Sequence, residues 1–450
     1  MKIDFENLGS IKKGGIELND LTLFCGENNC GKTYVMYSLY GLLDKKFDIR
    51  FSFVKKIISE LKENGAYELD VADVIARHQG NMILEIENHF KENLPSLFGV
   101  TNDEFLNTAI KLGFDEDGIK EQAIQADISS RSSLGKKEGW FLSLEKVAGQ
   151  SKIHFTYRDK DIPENVLHRI VSINLIEVFF NGLSQKSFLL PAERAGLNLF
   201  VRELSSTRNL LLQLAQKDNV NPMELLKDIV DSRYAAPVSD YLQYLNKIGG
   251  FRDEKSDYHK YAKNIQKNIL NGKYEVDKQG NIFFMPYRSK QKKLPLHFSS
   301  STVKTLFGLV FYLEHQAKKG DYLMIDEPEL NLHPDNQRKI ARVIAQLVNA
   351  GLKVVVSTHS NYFIRELNNL IMLNTSFPDK EQLKKQFSYQ DNELLDSGKV
   401  SAYLFDKQSI LSMPIDDEGI VVETFDRVTN KLNQSSNEIF YAIQDAKESV

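Results

Sequence analysis

The clearest pattern of apolar positions lies in the last third of the chain. Residues 322–325 and 354–356 are uninterrupted apolar runs, which is typical of strands buried on both faces. Between them, apolar residues recur at helical spacing and predict an amphipathic helix: Ile340, Val343, Ile344, Leu347 and Val348. A strand, a helix and a second strand in this order predict a parallel pair joined by a right-handed crossover.

Polar side chains follow both of these predicted strands. Asp326 and Glu327 come directly after the first, and His359 follows the second. Because the carboxyl ends of parallel strands meet at one sheet edge, where α/β sheets bind ligands, we expect His359 beside the two carboxylates. A strand that runs into an acidic turn is the simpler interpretation of Asp326 and Glu327 taken alone.

A glycine-rich loop near the start of the chain predicts a phosphate site. The apolar run 21–25 feeds residues 26–33, which match G-x-x-x-x-G-K-[ST], and a predicted helix follows to about Leu43. Glycines let backbone N–H groups face an anion, and the helix N-terminus adds its dipole. The candidate nucleotide contacts of this segment are Gly26, Asn28, Asn29, Gly31, Lys32, Thr33 and Tyr34.

Together these residues predict hydrolysis of a nucleoside triphosphate. Lys32 is expected to reach the β- and γ-phosphates, and the Thr33 hydroxyl and Asp326 are expected to hold Mg²⁺. Glu327 suits a general base for the attacking water, and His359 suits a hydrogen bond to that water or to the γ-phosphate. No N-K-x-D guanine signature follows the loop, which disfavours GTP relative to ATP.

Two further segments have one structural and one functional interpretation each. Ser299, Ser300, Ser301 and Thr302 open a predicted helix, so they are either its N-cap or hydroxyl donors to a phosphate. Arg194 follows the apolar run 188–190. It is expected either to face nucleotide or a partner, or to form a salt bridge with an acid such as Glu193.

Composition excludes several classes of protein. With 450 residues, 42% hydrophobic and 26% charged, the chain is of ordinary globular type, and a net charge of −4 gives no overall basic field. Arg288, Lys290, Lys292 and Lys293 form a small basic cluster, which is expected to be a solvated loop or a nucleic-acid contact. Cys25 and Cys30 cannot form a disulfide framework or a cysteine-rich zinc site. No apolar run is long enough to cross a bilayer, so we expect a cytoplasmic protein without membrane contact.

Weaker patterns predict the remaining elements. Residues 1–8 suggest an edge strand, Gly14 and Gly15 a turn, and residues 16–18 a second strand. Residues 47–113 are mostly of helical pattern, 138–157 suggest a strand pair, and 165–183 suggest a helix. Short strands are predicted over 273–277, 281–287, 400–405 and 419–422, and a terminal helix over 437–448.

The order of phosphate loop, serine segment, IDEPE-x-x-LHP and STHS resembles the ABC-type ATPase heads of the SMC, RecF and OLD lineages. It is most similar to the stand-alone heads of bacterial anti-phage systems, the PtuA-like ATPases of Septu and retron systems. The resemblance implies that Ser299–Thr302 is a signature motif acting in trans on ATP, that 332–334 lines a dimer interface and that His359 is a switch histidine. It further implies head-to-head dimers, or larger homo-oligomers, that hold ATP and Mg²⁺ between the heads.

This sequence departs from that family pattern at three points. Ser301 stands where the signature usually has glycine, and Gln185 precedes its strand and does not fit the Q-loop. The OLD nucleases carry a C-terminal Toprim domain, whereas here the acidic run 416–418 lacks a preceding apolar strand and suggests a solvated turn. We therefore predict an ATPase without its own nuclease.

The resulting hypothesis is an α/β ABC-type P-loop head with large helical insertions. The head is predicted over 1–45, 137–196 and 273–380, with helical insertions at 46–136 and 197–272 and an extension over 381–450. The insertion at 197–272 is expected to form a dimer or partner interface. The favoured function is the ATPase subunit of an anti-phage defence complex that controls a separate nuclease or effector. The alternatives are a RecF- or SMC-like DNA repair ATPase that clamps duplex DNA, and a slowly hydrolysing, ATP-bound scaffold.

Overall fold

The structure is a computed structural model. It describes residues 1–43, 49–133, 139–158, 162–183, 185–201, 234–251, 255–277, 279–288, 293–421 and 423–448. Lys278, Lys290 and Lys292 of the predicted loops lie outside the described residues, as does 202–233 of the predicted insertion at 197–272. Within the described ranges, no helix combines the length and the apolar character needed to span a membrane.

The strands, numbered in chain order, have the following bounds: β1 Lys2–Leu8, β2 Ile11–Glu17, β3 Leu21–Gly26, β4 Ala66–Asp70, β5 Ala109–Gly113, β6 Ile128–Ser132, β7 Leu142–Lys146, β8 Lys152–Tyr157, β9 Ser187–Leu190, β10 Gly272–Val276, β11 Ile282–Pro286, β12 Leu294–Pro295, β13 Tyr322–Asp326, β14 Lys353–Thr358, β15 Val400–Asp406, β16 Ser409–Met413, β17 Ile415–Asp416 and β18 Gly419–Ile420.

The α-helices, also numbered in chain order, are α1 Lys32–Leu43, α2 Val54–Asn64, α3 Val71–Phe98, α4 Glu116–Gln125, α5 Glu164–Phe179, α6 Ala236–Lys247, α7 His259–Ile265, α8 Ser301–His315, α9 Pro334–Asn349, α10 Asn361–Met372, α11 Lys380–Gln386 and α12 Glu423–Glu448. A further helical stretch covers 194–201. The predicted α/β class is therefore confirmed.

The main sheet of the described residues has nine strands in the order β5-β1-β2-β16-β15-β3-β14-β13-β9. The four strands from β3 to β9 run parallel, so β3, β14 and β13 end at one edge of the sheet. The predicted strand–helix–strand unit forms as β13, α9 and β14, with β13 and β14 side by side.

Apolar side chains cover both faces of the parallel strands. On β13, Met324 belongs to the cluster on one face, whereas Leu323 and Ile325 belong to the cluster on the other. Successive strand residues point to opposite faces, so a strand covered on both sides must be apolar throughout. This explains why the runs at 322–325 and 354–356 are uninterrupted.

Two expectations about the N-terminal strands are wrong. Gly14 and Gly15 lie inside β2 and not in a turn. A Cβ at Gly14 would lie 2.5 Å from Ile410 Cβ, so close packing and not chain reversal excludes a side chain there. A Cβ at Gly15 would lie 2.1 Å from Asp4 Oδ1, the end of a side chain that can move aside. The strand β1 is also not at the edge, because β5 pairs with its outer side.

The region 46–136 is not purely helical. Besides α2, α3 and α4 it contains β4, β5 and β6; β5 joins the main sheet, and β4 and β6 join a four-stranded sheet with β7 and β8. The sequence of β6, ISSRS, has no buried side chain, so it carries no apolar alternation that could have revealed a strand.

The C-terminal residues also extend the main sheet. The predicted strand at 400–405 forms as β15, which pairs in parallel with β3, and β16 connects it to β2. The sheet therefore draws strands from both sides of the predicted boundary at 380, while the boundaries themselves remain predictions. The acidic run 416–418 is exposed, as expected; Asp416 is the last residue of β17, and residues 417–418 form the turn to β18.

Candidate functional site

The phosphate loop (residues 26–33) joins β3 to α1. Gly26 and Gly31 have φ angles of +145° and +98°, which glycine adopts without strain. A Cβ at Gly26 would lie 2.5 Å from the carbonyl oxygen of Phe405, and one at Gly31 would lie 2.6 Å from Ile11 Cδ1. Both glycines are thus required by backbone conformation and by space.

Lys32 lies inside this loop and is only 7% exposed. Its Nζ donates to the carbonyl oxygens of Gly26 at 2.9 Å and Glu27 at 2.6 Å. The Cys30 thiol also donates to the Glu27 carbonyl, at 2.8 Å, and lies 3.5 Å from Lys32 Nζ. Asn28 and Asn29 are exposed at the loop surface, so the ammonium group is held within a polar, outward-facing loop.

The loop meets the acidic end of β13. Thr33 Oγ1 donates to Asp326 Oδ2 at 3.2 Å, and the Asp326 side chain is otherwise buried, at 3% exposure. Ser357 Oγ donates to the other carboxylate oxygen, Oδ1. Asp326 and Ser357 are register partners on β13 and β14, so strand pairing fixes this contact.

Glu327 and His359 meet at the same edge, as predicted. Their nearest side-chain atoms, Oε1 and Nδ1, are 3.5 Å apart, and the two side chains are 24% and 44% exposed. Glu327 has a φ of +52°, which is uncommon for a residue with a side chain. Its backbone N–H donates to the Ser357 carbonyl at 3.1 Å, which ties this bend to β14.

A second glutamate, Glu329, was not predicted as a site residue, and it accepts a hydrogen bond from the backbone of His359. Glu329 is 5% exposed, and its Oε1 accepts hydrogen bonds from Thr358 Oγ1 at 2.8 Å and from the backbone N–H of His359 at 2.9 Å. The same oxygen lies 3.6 Å from His359 Nδ1. Burial raises the pKa of the Glu329 carboxyl, against the opposing effect of these hydrogen bonds.

The structure supports neither of the two interpretations of Arg194. Its guanidinium donates to three main-chain carbonyls, those of Pro191 at 3.0 Å, Asp326 at 2.6 Å and Glu327 at 2.5 Å. The side chain is 2% exposed, so it faces neither solvent nor a partner surface. Neither the expected salt bridge with Glu193 nor a nucleotide-facing position describes it.

The three signature serines, Ser299, Ser300 and Ser301, lie elsewhere on the head. Ser300 is the N-cap of α8 and accepts a hydrogen bond from the Val303 backbone N–H, and Ser299 Oγ donates to the Pro295 carbonyl at 3.2 Å. Ser300 and Ser301 are exposed. Among the described hydrogen bonds, those of the serine side chains stay within their own segment and do not reach the phosphate loop.

An aromatic recess of about 240 Å³ opens beside Thr33. Its walls are formed by Gly9, Thr33, Tyr34, Tyr37, Phe98, Val100, Glu104 and Phe105. The Tyr34 and Phe98 ring centroids are 5.4 Å apart, and those of Phe98 and Phe105 are 5.1 Å apart. A larger recess of about 670 Å³, near Asn198 and Gln279, contains none of the predicted site residues.

Other predicted groups have structural roles where they are described. Lys293 of the basic cluster pairs with Glu275 at 2.6 Å. Gln185 donates to Asn181 before β9, which agrees with its exclusion from the site. Across the described ranges, no group of three or more His, Cys, Asp or Glu side chains is arranged to hold a metal ion.

The chain is similar to one endonuclease and to two solved SMC head structures. Endonuclease GajA of Bacillus cereus (strain HuB5-5) is 22% identical over 382 residues, which cover 76% of this chain and 52% of the relative. The chain thus spans about half the length of that relative.

Two solved structures are also similar to this chain. The SMC head domain from Thermotoga maritima gives a TM-score of 0.33, with 10% identity over 92% of this chain and 98% of that chain. An SmcHead bound to the C-winged helix domain of ScpA gives a TM-score of 0.35, with 10% identity over 92% of this chain and 97% of that chain.

The family model described as the AAA ATPase domain matches residues 1–364, which include the phosphate loop, the acidic end of β13 and His359. The predicted resemblance to an SMC-, RecF- and OLD-type ATPase head is confirmed at the level of this domain family, whereas the likeness to PtuA remains a prediction. The chain belongs to the AAA ATPase domain family.

Proposed function

We propose that the chain binds ATP with Mg²⁺ and hydrolyses it, as the ATPase subunit of a bacterial anti-phage defence complex. The observation that carries the hydrolytic part is the meeting of three segments at one sheet edge. Thr33 of the phosphate loop lies against Asp326, and Glu327 lies against His359. Residues far apart in sequence thus supply phosphate-, metal- and water-directed groups at one place.

The residues fit a magnesium ion. The Thr33 hydroxyl and the Asp326 carboxylate are hard oxygen donors held 3.2 Å apart, and Mg²⁺ prefers such donors together with water and phosphate oxygens. The loop also fits a triphosphate, because Gly26 and Gly31 hold positive φ angles that let a glycine-rich loop turn its backbone N–H groups toward an anion. When bound, Mg²⁺ neutralises the charge that develops on the phosphate oxygens during phosphoryl transfer.

Each side chain then has a separate task. Lys32 exchanges its bonds to loop carbonyls for bonds to phosphate oxygens. Glu327, exposed enough to meet water and fixed at its backbone, orients and deprotonates the attacking water. His359 reaches the same space and donates to that water or to the terminal phosphate. These groups act chiefly by position and charge, which is what phosphoryl transfer requires.

The aromatic recess is our candidate site for the base. Thr33 forms part of both the phosphate loop and the recess, so a nucleotide can occupy the two together. Tyr34 is 39% exposed and offers a ring face, and base–aromatic stacking is worth about 1–3 kcal/mol. A hydrophobic, aromatic wall suits a purine base.

The partners form the second part of the proposal. The exposed Ser300 and Ser301 stand next to Phe298, whose side chain is 72% exposed, and a second copy of the chain would cover these residues and bring its nucleotide to them. This supports a head-to-head dimer or a larger homo-oligomer. A relative that is an endonuclease supports a nuclease or effector as partner, and we propose that this partner is separately encoded. We propose that this chain has no nuclease of its own.

The test uses purified wild-type protein and the Glu327→Gln variant. ATP turnover and mass photometry are measured for each, with and without Mg²⁺-ATP and duplex DNA. The proposal predicts Mg²⁺-dependent turnover that is lost in Glu327→Gln and oligomers that form with ATP. Absence of turnover in the wild type would refute the hydrolytic part. Turnover that DNA accelerates strongly, with DNA trapped by Glu327→Gln, would replace the defence assignment with a DNA clamp.

The defence role is tested separately in cells. The gene and its neighbours are expressed in a bacterial host that is challenged with a panel of phages. We expect fewer plaques with the wild type than with the Lys32→Ala or Glu327→Gln variants, because defence would require nucleotide turnover. Equal plaque counts for all three across the panel would oppose this role.

A further inference from the structure

Arg194 is the buried cation nearest the acidic end of β13, and the mechanism above does not use it. It stands four residues after Leu190, the last residue of β9, which pairs in parallel with β13. The guanidinium spans the gap between the two chain segments. It bonds the Pro191 carbonyl of its own segment and the carbonyls of Asp326 and Glu327 across from it.

The two carbonyls across the gap belong to Asp326 and Glu327, the two acidic site residues whose backbone must be held in place. Glu327 is held at φ +52°, a left-handed conformation that is strained for a residue with a side chain. Such a conformation persists only where the surroundings enforce it. Here the Glu327 N–H is bonded to the Ser357 carbonyl at 3.1 Å, and its C=O is bonded to Arg194 Nη2 at 2.5 Å. The backbone N–H and C=O of Glu327 are therefore both held by hydrogen bonds.

The geometry of this contact suits an arginine. One planar guanidinium presents several N–H donors in a fixed fork, so it serves two consecutive carbonyls on one side and a third on the other. A lysine ammonium is a compact charge without this fork. The buried positive charge is favoured by the nearby carboxylates of Asp326, Glu329 and Glu327, whose charges oppose the lowering of the Arg194 pKa by burial.

We propose that Arg194 is a positioning residue for ATP hydrolysis, which sets the backbone of Asp326 and Glu327 and through it the direction of the Glu327 carboxylate. This inference rests on the proposed ATPase function. Arg194 touches neither nucleotide nor water in this role. Its loss leaves the phosphate loop intact and misdirects the general base.

The experiment compares Arg194→Met and Arg194→Lys with the matched control Lys146→Met. Lys146 is also a buried cation that donates to three main-chain carbonyls, those of Ile124, Ala126 and Val147, but it lies outside the site. For each protein, kcat, the KM for ATP, the Kd for ATP and the melting temperature are measured. The Kd reports the phosphate loop, and kcat per folded molecule reports the position of Glu327.

We expect Arg194→Met to lower kcat by about 100-fold with the ATP Kd changed by less than about threefold, since a displacement near 1 Å can cost that much in rate. Arg194→Lys should recover part of the loss, because an ammonium group can serve some of the carbonyls. Lys146→Met should have a lower melting temperature than the wild type but the same kcat. A wild-type kcat in folded Arg194→Met, or losses that only follow the folded fraction as in Lys146→Met, would overturn the inference alone. Absence of turnover in the wild type would instead overturn the proposed function and this inference with it.

Discussion

Thr33 and Asp326 are separated by 293 residues in the chain, yet Thr33 Oγ1 and Asp326 Oδ2 lie 3.2 Å apart. The contact joins the first turn of α1 to the last residue of β13. It exists because β14 pairs in parallel with β3 on one side and with β13 on the other, which brings both strand ends to one edge. The pair unites the phosphate loop with the acidic end of β13, and it is where a cation would balance the acid.

This pair predicts how turnover depends on magnesium. Asp326→Asn removes one negative charge and one oxygen donor, so we expect the Mg²⁺ concentration for half-maximal ATP turnover to rise by at least about tenfold. Two unit charges about 4 Å apart attract each other by about 1 kcal/mol in water and about 4 kcal/mol near a protein surface. Loss of the attraction between the Asp326 carboxylate and the cation can therefore account for a change of this size. The measurement is a titration of turnover with Mg²⁺ at fixed ATP.

The control for this titration is Asp417→Asn, which removes the same charge from the exposed turn between β17 and β18. Its half-maximal Mg²⁺ concentration should equal that of the wild type. An unchanged Mg²⁺ requirement in Asp326→Asn would show that the cation is held elsewhere.

Glu327 carries the second prediction. Glu327→Gln keeps the size of the side chain and its 3.5 Å approach to His359 but cannot accept a proton from water. General-base catalysis contributes on the order of 10²–10⁴ in rate, so we expect single-turnover hydrolysis to slow by a factor in that range, with ATP still bound. Rapid-quench measurements of phosphate release, together with a fluorescent-nucleotide binding assay, separate the two effects. A variant that hydrolyses ATP at the wild-type rate would exclude Glu327 as the base.

The aromatic recess predicts a change in affinity without a change in chemistry. Tyr34→Ala removes a ring at the rim of the recess, and loss of about 1–3 kcal/mol of stacking corresponds to a rise of about 5- to 160-fold in the KM for ATP. We expect kcat to stay close to the wild-type value, because Tyr34 is one residue beyond the metal-directed Thr33 and faces the recess. Tyr362→Ala serves as control, since Tyr362 is an exposed tyrosine outside the recess. Steady-state kinetics with inorganic triphosphate as a base-free competitor would detect the loss, because only ATP depends on the recess.

Several features of this site were predictable from the sequence because short patterns determine them. The phosphate loop is contiguous, and the strand–helix–strand unit from 322 to 358 carries its own periodicity, so the meeting of Glu327 and His359 followed from the crossover rule. Ser357 could have been added by the same reasoning, since it stands opposite Asp326 in the register.

Other features depend on distant packing that no local pattern reports. The role of Arg194 depends on β9 lying beside β13, and the sequence leaves that neighbour open. Glu329 follows a proline in a turn, and its burial against Thr358 depends on how that turn folds onto β14. The strand β5 is short and partly exposed, so the pattern from 47 to 113 suggested helix where this strand completes the main sheet.

Glu329 predicts a dependence of stability on pH. Burial raises the pKa of its carboxyl above the ordinary value of 4.5, so the folded protein holds this proton more strongly than the unfolded chain does. Between 4.5 and the raised folded pKa, folding takes up a proton, and the free energy of unfolding therefore falls as pH rises through that window. Glu329→Gln cannot titrate and should lack this fall.

The measurement is the melting temperature, from pH 4 to pH 8, of two proteins that both carry His359→Asn, one with Glu329 and one with Glu329→Gln. The shared substitution removes the imidazole that lies 3.6 Å from Glu329 Oε1, so the two proteins differ only at residue 329. The protein that keeps Glu329 should lose stability relative to the Glu329→Gln protein as pH rises. A difference between the two that stays constant across the range, or changes in the opposite direction, would refute the assigned pKa direction.

Gly14 gives the last prediction, which concerns the C-terminal strands. A Cβ at this position would lie 2.5 Å from Ile410 Cβ and 2.8 Å from the Ile410 backbone nitrogen, and backbone atoms cannot move aside as a flexible side chain can. Gly14→Ala should therefore destabilise the protein by about 1–3 kcal/mol, the usual cost of forcing an extra methyl group into a packed site. The matched control is Gly80→Ala, an exposed position in α3 where an added Cβ meets nothing within 4 Å and helix propensity favours alanine by about 1 kcal/mol. The same substitution should thus lower the free energy of unfolding at Gly14 and raise it at Gly80, and chemical denaturation measures both.

The two outcomes for Gly14→Ala decide whether the C-terminal strands belong to the head. If Gly14→Ala were as stable as Gly80→Ala, β16 could not lie against β2, and the head would end before the C-terminal strands. If it is destabilised as expected, residues 400–413 contribute to the sheet that carries the phosphate loop, and a chain truncated at 380 should fail to form a stable ATPase head.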